Sequence, residues 1–271
     1  MARSYEMMGS PLLPAAEDIR FVEATAARWH EQNGRAPRAI LLGVTPKLAR
    51  MNWPAGTFLT AADSSGPMAS ALWPFNGTPQ TPRLVLADWR LLPFRNGGAD
   101  IVVGDGCIIC LRYPDGVRAF ARAIAPLLSP GGLLVIRCYL QPDRKESPEE
   151  VIAQMDSDGL ETVHQFKFRL LMALQANVTE GIAVRHVYDY WVNHSPNGSG
   201  LGSRAGWRQT ASELMALYRG VNTVHTFPTR DELREVLDEF FVEVDVSIPP
   251  YYLGERCPTI VLKSRAGCSA G

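Results

Sequence analysis

The chain has 271 residues, and its 27 lysines and arginines nearly balance its 28 aspartates and glutamates. That balance excludes the basic excess with which a nucleic-acid-binding protein neutralises phosphates. No apolar run approaches the roughly 18 residues that a spanning helix needs. No basic stretch followed by an apolar core marks a leader, so no membrane association and a cytoplasmic location are expected.

Residues 1–15 read as loop, broken by Pro11 and Pro14. From Ala16 to Gln32, Ile19, Val22, Ala26 and Trp29 recur at helical spacing, and Asn33-Gly34 ends the run. A first strand, Ala39 to Leu42, breaks at Gly43 into a helix start, with Thr45 at the cap position and Pro46 at the first helical one. A second strand spans Thr57 to Ala62 and a third Arg83 to Ala87. The fourth, Ala99 to Gly104, leads into a helix whose apolar face is Val117, Phe120, Ala121, Ile124, Leu127 and Leu128. Ser129-Pro130-Gly131-Gly132 stops that helix, and a fifth strand starts at Leu133. Strands alternating with helices at this pitch predict an open, mainly parallel sheet covered on both faces.

From Pro142 to Thr226 the pattern turns helical, with helices expected around 163–176, 184–192 and 209–218 and a Gly/Ser-rich loop at 195–206. A helix over 230–240 then precedes two strands, 241–248 and 258–263, which without a helix between them form an antiparallel pair. The expected organisation is an N-terminal helical cap (1–38), a core (39–141), a helical insertion between strands five and six (142–226), a helix and strand pair completing the core (227–264), and a tail (265–271).

Three of the five cysteines (107, 110, 138, 257 and 268) sit in strand-like runs and read as small buried hydrophobes. Cys107 and Cys110 have C-x-x-C spacing without a second pair or nearby histidine, so no metal site is expected.

The carboxylates at successive strand ends carry the chemistry. Asp63 lies 20 positions after Gly43, where a carboxylate can accept both hydroxyls of a ribose held over the first turn. Asp88-Trp89 after the third strand suits an adenine, with the acid accepting from the exocyclic amine and the aromatic bracketing the ring. Asp105-Gly106 after the fourth strand lies beside the crevice centre.

In this order and spacing the chain resembles the class I S-adenosylmethionine (SAM)-dependent methyltransferases over about residues 38–140 and 227–264. The matching segments are Ile40-Leu41-Leu42-Gly43-Val44-Thr45, Ala62-Asp63-Ser64-Ser65 and Ala87-Asp88-Trp89-Arg90-Leu91-Leu92-Pro93-Phe94. Ala99-Asp100-Ile101-Val102-Val103-Gly104-Asp105-Gly106 and Leu127-Leu128-Ser129-Pro130-Gly131-Gly132-Leu133-Leu134 complete the set. The resemblance implies a seven-stranded α/β sheet with an antiparallel last strand. It also implies SAM as cofactor, leaving S-adenosylhomocysteine, held by Gly43, Val44, Thr45, Asp63, Ser64, Asp88, Trp89, Asp105, Gly106 and Cys107. The first loop departs from the family: its usual acid and extra glycines are missing, so Tyr5, the backbone of Val44 and Thr45, or the 105–107 loop must hold the methionyl end.

The insertion is expected to select the substrate. Lys167 shares a helical face with Val163, Leu170, Leu171 and Leu174, which predicts a partly buried, paired lysine that either snorkels or holds an anionic ligand. Arg137, Tyr139 and Tyr188 are further substrate candidates, and Tyr139, His164 and His186 are candidates for proton transfer. The expected function is methyl transfer to a small, polar metabolite. The alternatives are a SAM-consuming cyclase that releases methylthioadenosine and a non-catalytic binding protein on the same fold.

Overall fold

The computed structural model describes residues 9–75, 81–154, 162–194 and 213–265. Tyr5, Cys268, the 195–206 loop and nearly all of the tail lie outside them. The helix α1 (Ala16–Asn33) leads to β1 (Arg38–Leu42), the short α2 (Pro46–Ala49), β2 (Phe58–Asp63), α3 (Gly66–Leu72), β3 (Arg83–Leu86) and β4 (Ala99–Asp105). A 3₁₀ turn at Ile108–Cys110, α4 (Asp115–Ile124) and β5 (Leu128–Arg137) follow. Then come α5 (Pro148–Ala153), α6 (Val163–Leu174), β6 (Ile182–Ala183), α7 (Arg185–His194), β7 (Val224–His225), α8 (Arg230–Leu237), β8 (Phe241–Ser247) and β9 (Thr259–Ser264).

Seven strands make one sheet in the order β3-β2-β1-β4-β5-β9-β8. Strands β1 to β5 pair parallel, and only β9 runs against its neighbours β5 and β8. The antiparallel last strand is therefore as expected. Alternate residues of the central strands face two separate cores. Ile40, Leu42, Val102 and Leu134 pack with α4 and α8. Leu41, Ala61, Val103 and Val135 pack with α1 and α2. Because every inner strand is covered on both sides, its sequence is a continuous apolar run rather than an alternation.

Three elements differ from expectation. Strand β5 begins at Leu128 rather than Leu133, because Ser129–Gly132 stays in the sheet as a bulge between the Ala99↔Leu128 and Ile101↔Leu133 pairs, with Gly131 at φ 76°. The helix after the first turn stops at Ala49 after four residues. The hairpin β6–β7 has two residues per strand, too few to leave a period in the sequence. Of the helix expected over 209–218, the described part is one turn at 213–216.

The amino ends of the sheet are tied by one buried acid. Asp100, in β4, is completely buried and accepts two bonds from Arg35 at 2.8 Å and three from Arg38 at 2.8–2.9 Å. It also accepts Ser129 Oγ at 2.6 Å, so β1, β4 and the β5 bulge converge on one carboxylate. A third core forms at the other end of the strands, where α6 and α7 bring Phe166, Phe168 and Trp191 against Ile109 and Tyr139.

The hydrogen bonds from both arginines and Ser129 outweigh desolvation and hold the Asp100 carboxyl far below its usual range. Its contribution to stability is therefore complete above about pH 4 and is lost as acid reaches the folded carboxylate. Asp100→Asn should lower unfolding stability by about 3 kcal/mol in urea titrations at pH 7. The variant should also lose less stability than the parent chain on acidification.

Candidate functional site

The first turn sits at the carboxyl ends of β1 and β2, where the parallel strands of an open α/β sheet form a crevice. Gly43 has φ 90°, a conformation only glycine adopts without strain, and its N–H donates to Ala62 O at 2.8 Å. The same carbonyl accepts the Trp89 indole N–H at 2.8 Å, which lays the ring beside the turn. A Cβ built on Gly43 would lie 3.7 Å from Trp89 Cζ2 and 3.8 Å from Asp63 Oδ2. Gly43, Asp63 and Trp89 are thus neighbours. Asp63 Oδ1 accepts the Ser65 N–H at 2.7 Å, an Asx turn that fixes the carboxylate, while Oδ2 carries no bond from the described residues. Ser64 is exposed, Val44 is buried, and the Thr45 side chain makes no capping bond although it holds the cap position.

Two of the strand-end acids are engaged differently from expectation. Asp88 folds back on Arg90, accepting from its backbone N–H and Nε at 2.9 Å and from its terminal nitrogen at 2.5 Å. Both oxygens are occupied, and the arginine lowers the carboxyl's pKa. The Asp105 side chain is nearly covered and accepts Arg137 Nε at 2.6 Å. Cys107 is fully buried, with its Sγ 2.9 Å from the place a Cβ of Gly104 would take. It fills the core beneath the loop and does not face the crevice. Gly106, at φ 63°, has no room for a Cβ because the Tyr139 ring lies against it.

Arg137 and Tyr139 do not reach the rim, because their polar atoms are turned onto the N-terminal segment. Arg137 donates to Pro11 O at 2.9 Å, Tyr251 Oη at 3.1 Å and Tyr139 Oη at 2.7 Å. The Tyr139 hydroxyl donates in turn to Pro11 O at 2.9 Å. Asp18, on α1, lies 3.7 Å from the guanidinium and accepts from the Ala15 N–H and the Tyr251 hydroxyl at 2.8 and 3.0 Å. Burial pushes the Asp18 carboxyl up, against the pull of Arg137. Asp18 was not among the sequence candidates, and Tyr251, a candidate aromatic wall by sequence, contributes its hydroxyl here instead. The only sequence signal for Asp18 is its place in the first turn of α1, where it reads as an ordinary cap.

In the insertion, Lys167 is buried as its spacing suggested, but its partner is no carboxylate. Its Nζ bonds Tyr218 Oη at 2.9 Å and lies 4.4 Å from the Tyr218 ring centroid. His164 is buried on the same helix, and His186 and Tyr188 are half-buried on α7. Cys110, exposed at the end of the 3₁₀ turn, has its thiol pushed up by the protein packed around it and by the Asp63 charge.

No protein-family model and no curated protein sequence matches the chain. Solved structures do. The CcbJ methyltransferase from Streptomyces caelestis aligns with a TM-score of 0.56 at 16% identity, over 98% of this chain and 96% of that one. The PH0226 protein from Pyrococcus horikoshii OT3 gives 0.52 at 10% identity, over 97% and 99%. The CurJ carbon methyltransferase also gives 0.52, at 12% identity, over 94% of this chain and 56% of its own. At these identities the likeness shows the fold.

Tyr139→Phe removes one donor and one acceptor from the seat of the N-terminal segment. Stability should fall by about 1–2 kcal/mol. Amide exchange measured by mass spectrometry should quicken at residues 12–13 and stay unchanged in β1 and β2.

Proposed function

We propose that this chain, whose fold is that of the class I SAM-dependent methyltransferases, binds SAM across the carboxyl ends of β1, β2 and β4 and methylates a small metabolite. The observation that carries the reading is Asp63, held rigid through one oxygen with the other open beside Gly43. That geometry fits a ribose diol, and two hydroxyls donating to a carboxylate form charge-assisted bonds. Trp89 supplies an aromatic wall next to it. The acid missing from the first turn has a substitute: Asp18 and Asp105 flank the single guanidinium of Arg137, leaving one net negative charge for the methionyl ammonium.

Bound SAM supplies an electrophilic methyl carbon on a sulfonium. The chain's own part is to orient and to exclude water. The N-terminal segment is fastened over the ends of β4 and β5, and the aromatic core of α6 and α7 closes the adjoining side. Proximity in such a pocket supplies much of the acceleration for an amine or ionised oxygen acceptor, without a dedicated base. The acid-free first turn also supports a second reading, in which SAM itself is consumed and methylthioadenosine is released.

Asp63→Ala should weaken SAM binding about tenfold or more in calorimetry, with unchanged circular dichroism. Asp88→Ala should cost about threefold or less, because Arg90 already occupies both oxygens. Unchanged affinity on loss of Asp63 would overturn the assignment. Mass spectrometry of the protein with SAM and a metabolite extract separates the reactions: S-adenosylhomocysteine marks methyl transfer, and methylthioadenosine marks the second reading.

A further inference from the structure

The described residues contain four buried lysine and arginine side chains, Arg137, Lys167, Arg169 and Arg256. Three have carboxylate partners: Arg137 has Asp105 and Asp18, and Arg169 and Arg256 share Glu146. Lys167 has none. Its one hydrogen bond among the described residues is to the neutral Tyr218 hydroxyl, so these residues leave two of the three ammonium donors unused in an apolar surround. A buried charge without a partner costs stability that a binding site recovers when its ligand arrives.

A second polar atom is left open beside it. His225 Nδ1 is buried and has no hydrogen-bond partner, while its ring stands edge-on to Phe227 at 6.2 Å. The turn that starts at Tyr218 runs directly into the strand that carries His225, with Val221 N–H bonded to Tyr218 O and Val184 N–H to Thr223 O, and the Lys167 charge acts on this imidazole. Tyr218 and His225 are each only partly covered, which leaves approach from their side.

We propose that Lys167, Tyr218 and His225 form a receptor for a carboxylate group of the acceptor substrate. The ammonium would take the carboxylate with its free donors, the Nδ1–H tautomer of His225 would give a further bond, and the Tyr218 ring would wall the site. Charge selects the ligand class. One ammonium beside a neutral imidazole matches a monoanion, whereas a phosphate dianion would bury an unbalanced charge. Desolvation lowers Lys167 to about 7 and, with the lysine's charge, His225 to about 4, so an arriving anion is what keeps the lysine fully protonated.

Position ties this receptor to the crevice. The Thr226 N–H donates to Ile109 O at 3.0 Å, so the strand carrying His225 is docked on the 3₁₀ turn that follows β4. The next residue of that turn, Cys110, feels the Asp63 charge, and the turn itself follows β4 at the carboxyl ends of the strands. A molecule anchored at Lys167 would therefore extend toward the place where the ribose acid sits. Naming the ligand as substrate rests on the methyltransferase reading, but the anion site is measured without it.

The chain has only four lysines, Lys47, Lys145, Lys167 and Lys263, so a lysine-labelled sample gives four resolvable side-chain signals. The probe is sodium benzoate, with benzamide as its uncharged counterpart. Benzoate should move the Lys167 ¹³Cε signal saturably, and benzamide at tenfold higher concentration should not. Lys167→Met keeps the side chain's apolar length and should abolish stabilisation by benzoate in thermal unfolding, while SAM affinity in calorimetry stays within about twofold. Tyr218→Phe should weaken the benzoate response about threefold or more. A Lys167 signal indifferent to benzoate, an equal response to benzamide, or benzoate stabilisation that survives Lys167→Met would overturn the proposal. Absence of SAM binding in the parent chain would instead remove the methyltransferase reading and leave the benzoate result standing.

Discussion

A single desolvated guanidinium organises the ligand end of this molecule. Arg137 closes β5 with its side chain buried, and a charge in that position is tolerable only if its fixed fork of donors is matched by acceptors. The acceptors come from separated parts of the chain: Asp105 at the end of β4, Pro11 from the N-terminal segment, Tyr139 two residues on, and Tyr251 before β9. Asp18 adds charge from α1. The position of the N-terminal segment, the packing of Tyr139 against Gly106 and the closure of β4's end all follow from satisfying one cation.

This arrangement explains why an ordinary-looking fold carries an unusual first turn. With only Gly43 and a four-residue helix, β1 offers little to hold a polar ligand. The negative charge lies instead across the strand ends, on Asp63 at β2 and on the Asp18–Arg137–Asp105 group at β4 and β5. At the amino ends Asp100 does the opposite task, using two arginines to hold strands rather than leaving anything open.

How much of this was legible follows from how local each determinant is. Apolar runs and breakers are local, so the succession of strands and helices along the chain, the antiparallel end and the burial of Lys167 could be read directly. The setting of Asp63 is equally local: its partner, the Ser65 N–H, is two residues away. Asp88 misled although its partner is equally close, because a carboxylate at a strand end says nothing of which cation turns back onto it. Asp105, Arg137 and Tyr139 were placed at the right end of the sheet but given to the crevice. Pro11, which binds both Arg137 and Tyr139, and Tyr251, which binds Arg137, lie more than a hundred residues away and meet them only in the folded chain. Lys167 was expected to be paired, yet the sequence could not show that its partner, 51 residues on, would be a phenol rather than an acid.

The fastening of Pro11 has a consequence for how the molecule is made. Synthesis runs from the amino terminus, and domains consolidate as their parts emerge. The segment around Pro11 is made before its seat, because the two side chains that bond its carbonyl, Arg137 and Tyr139, follow more than 120 residues later. That stretch therefore stays unfastened until β5 has been made, and Tyr251, translated later still, completes the ring of acceptors around Arg137.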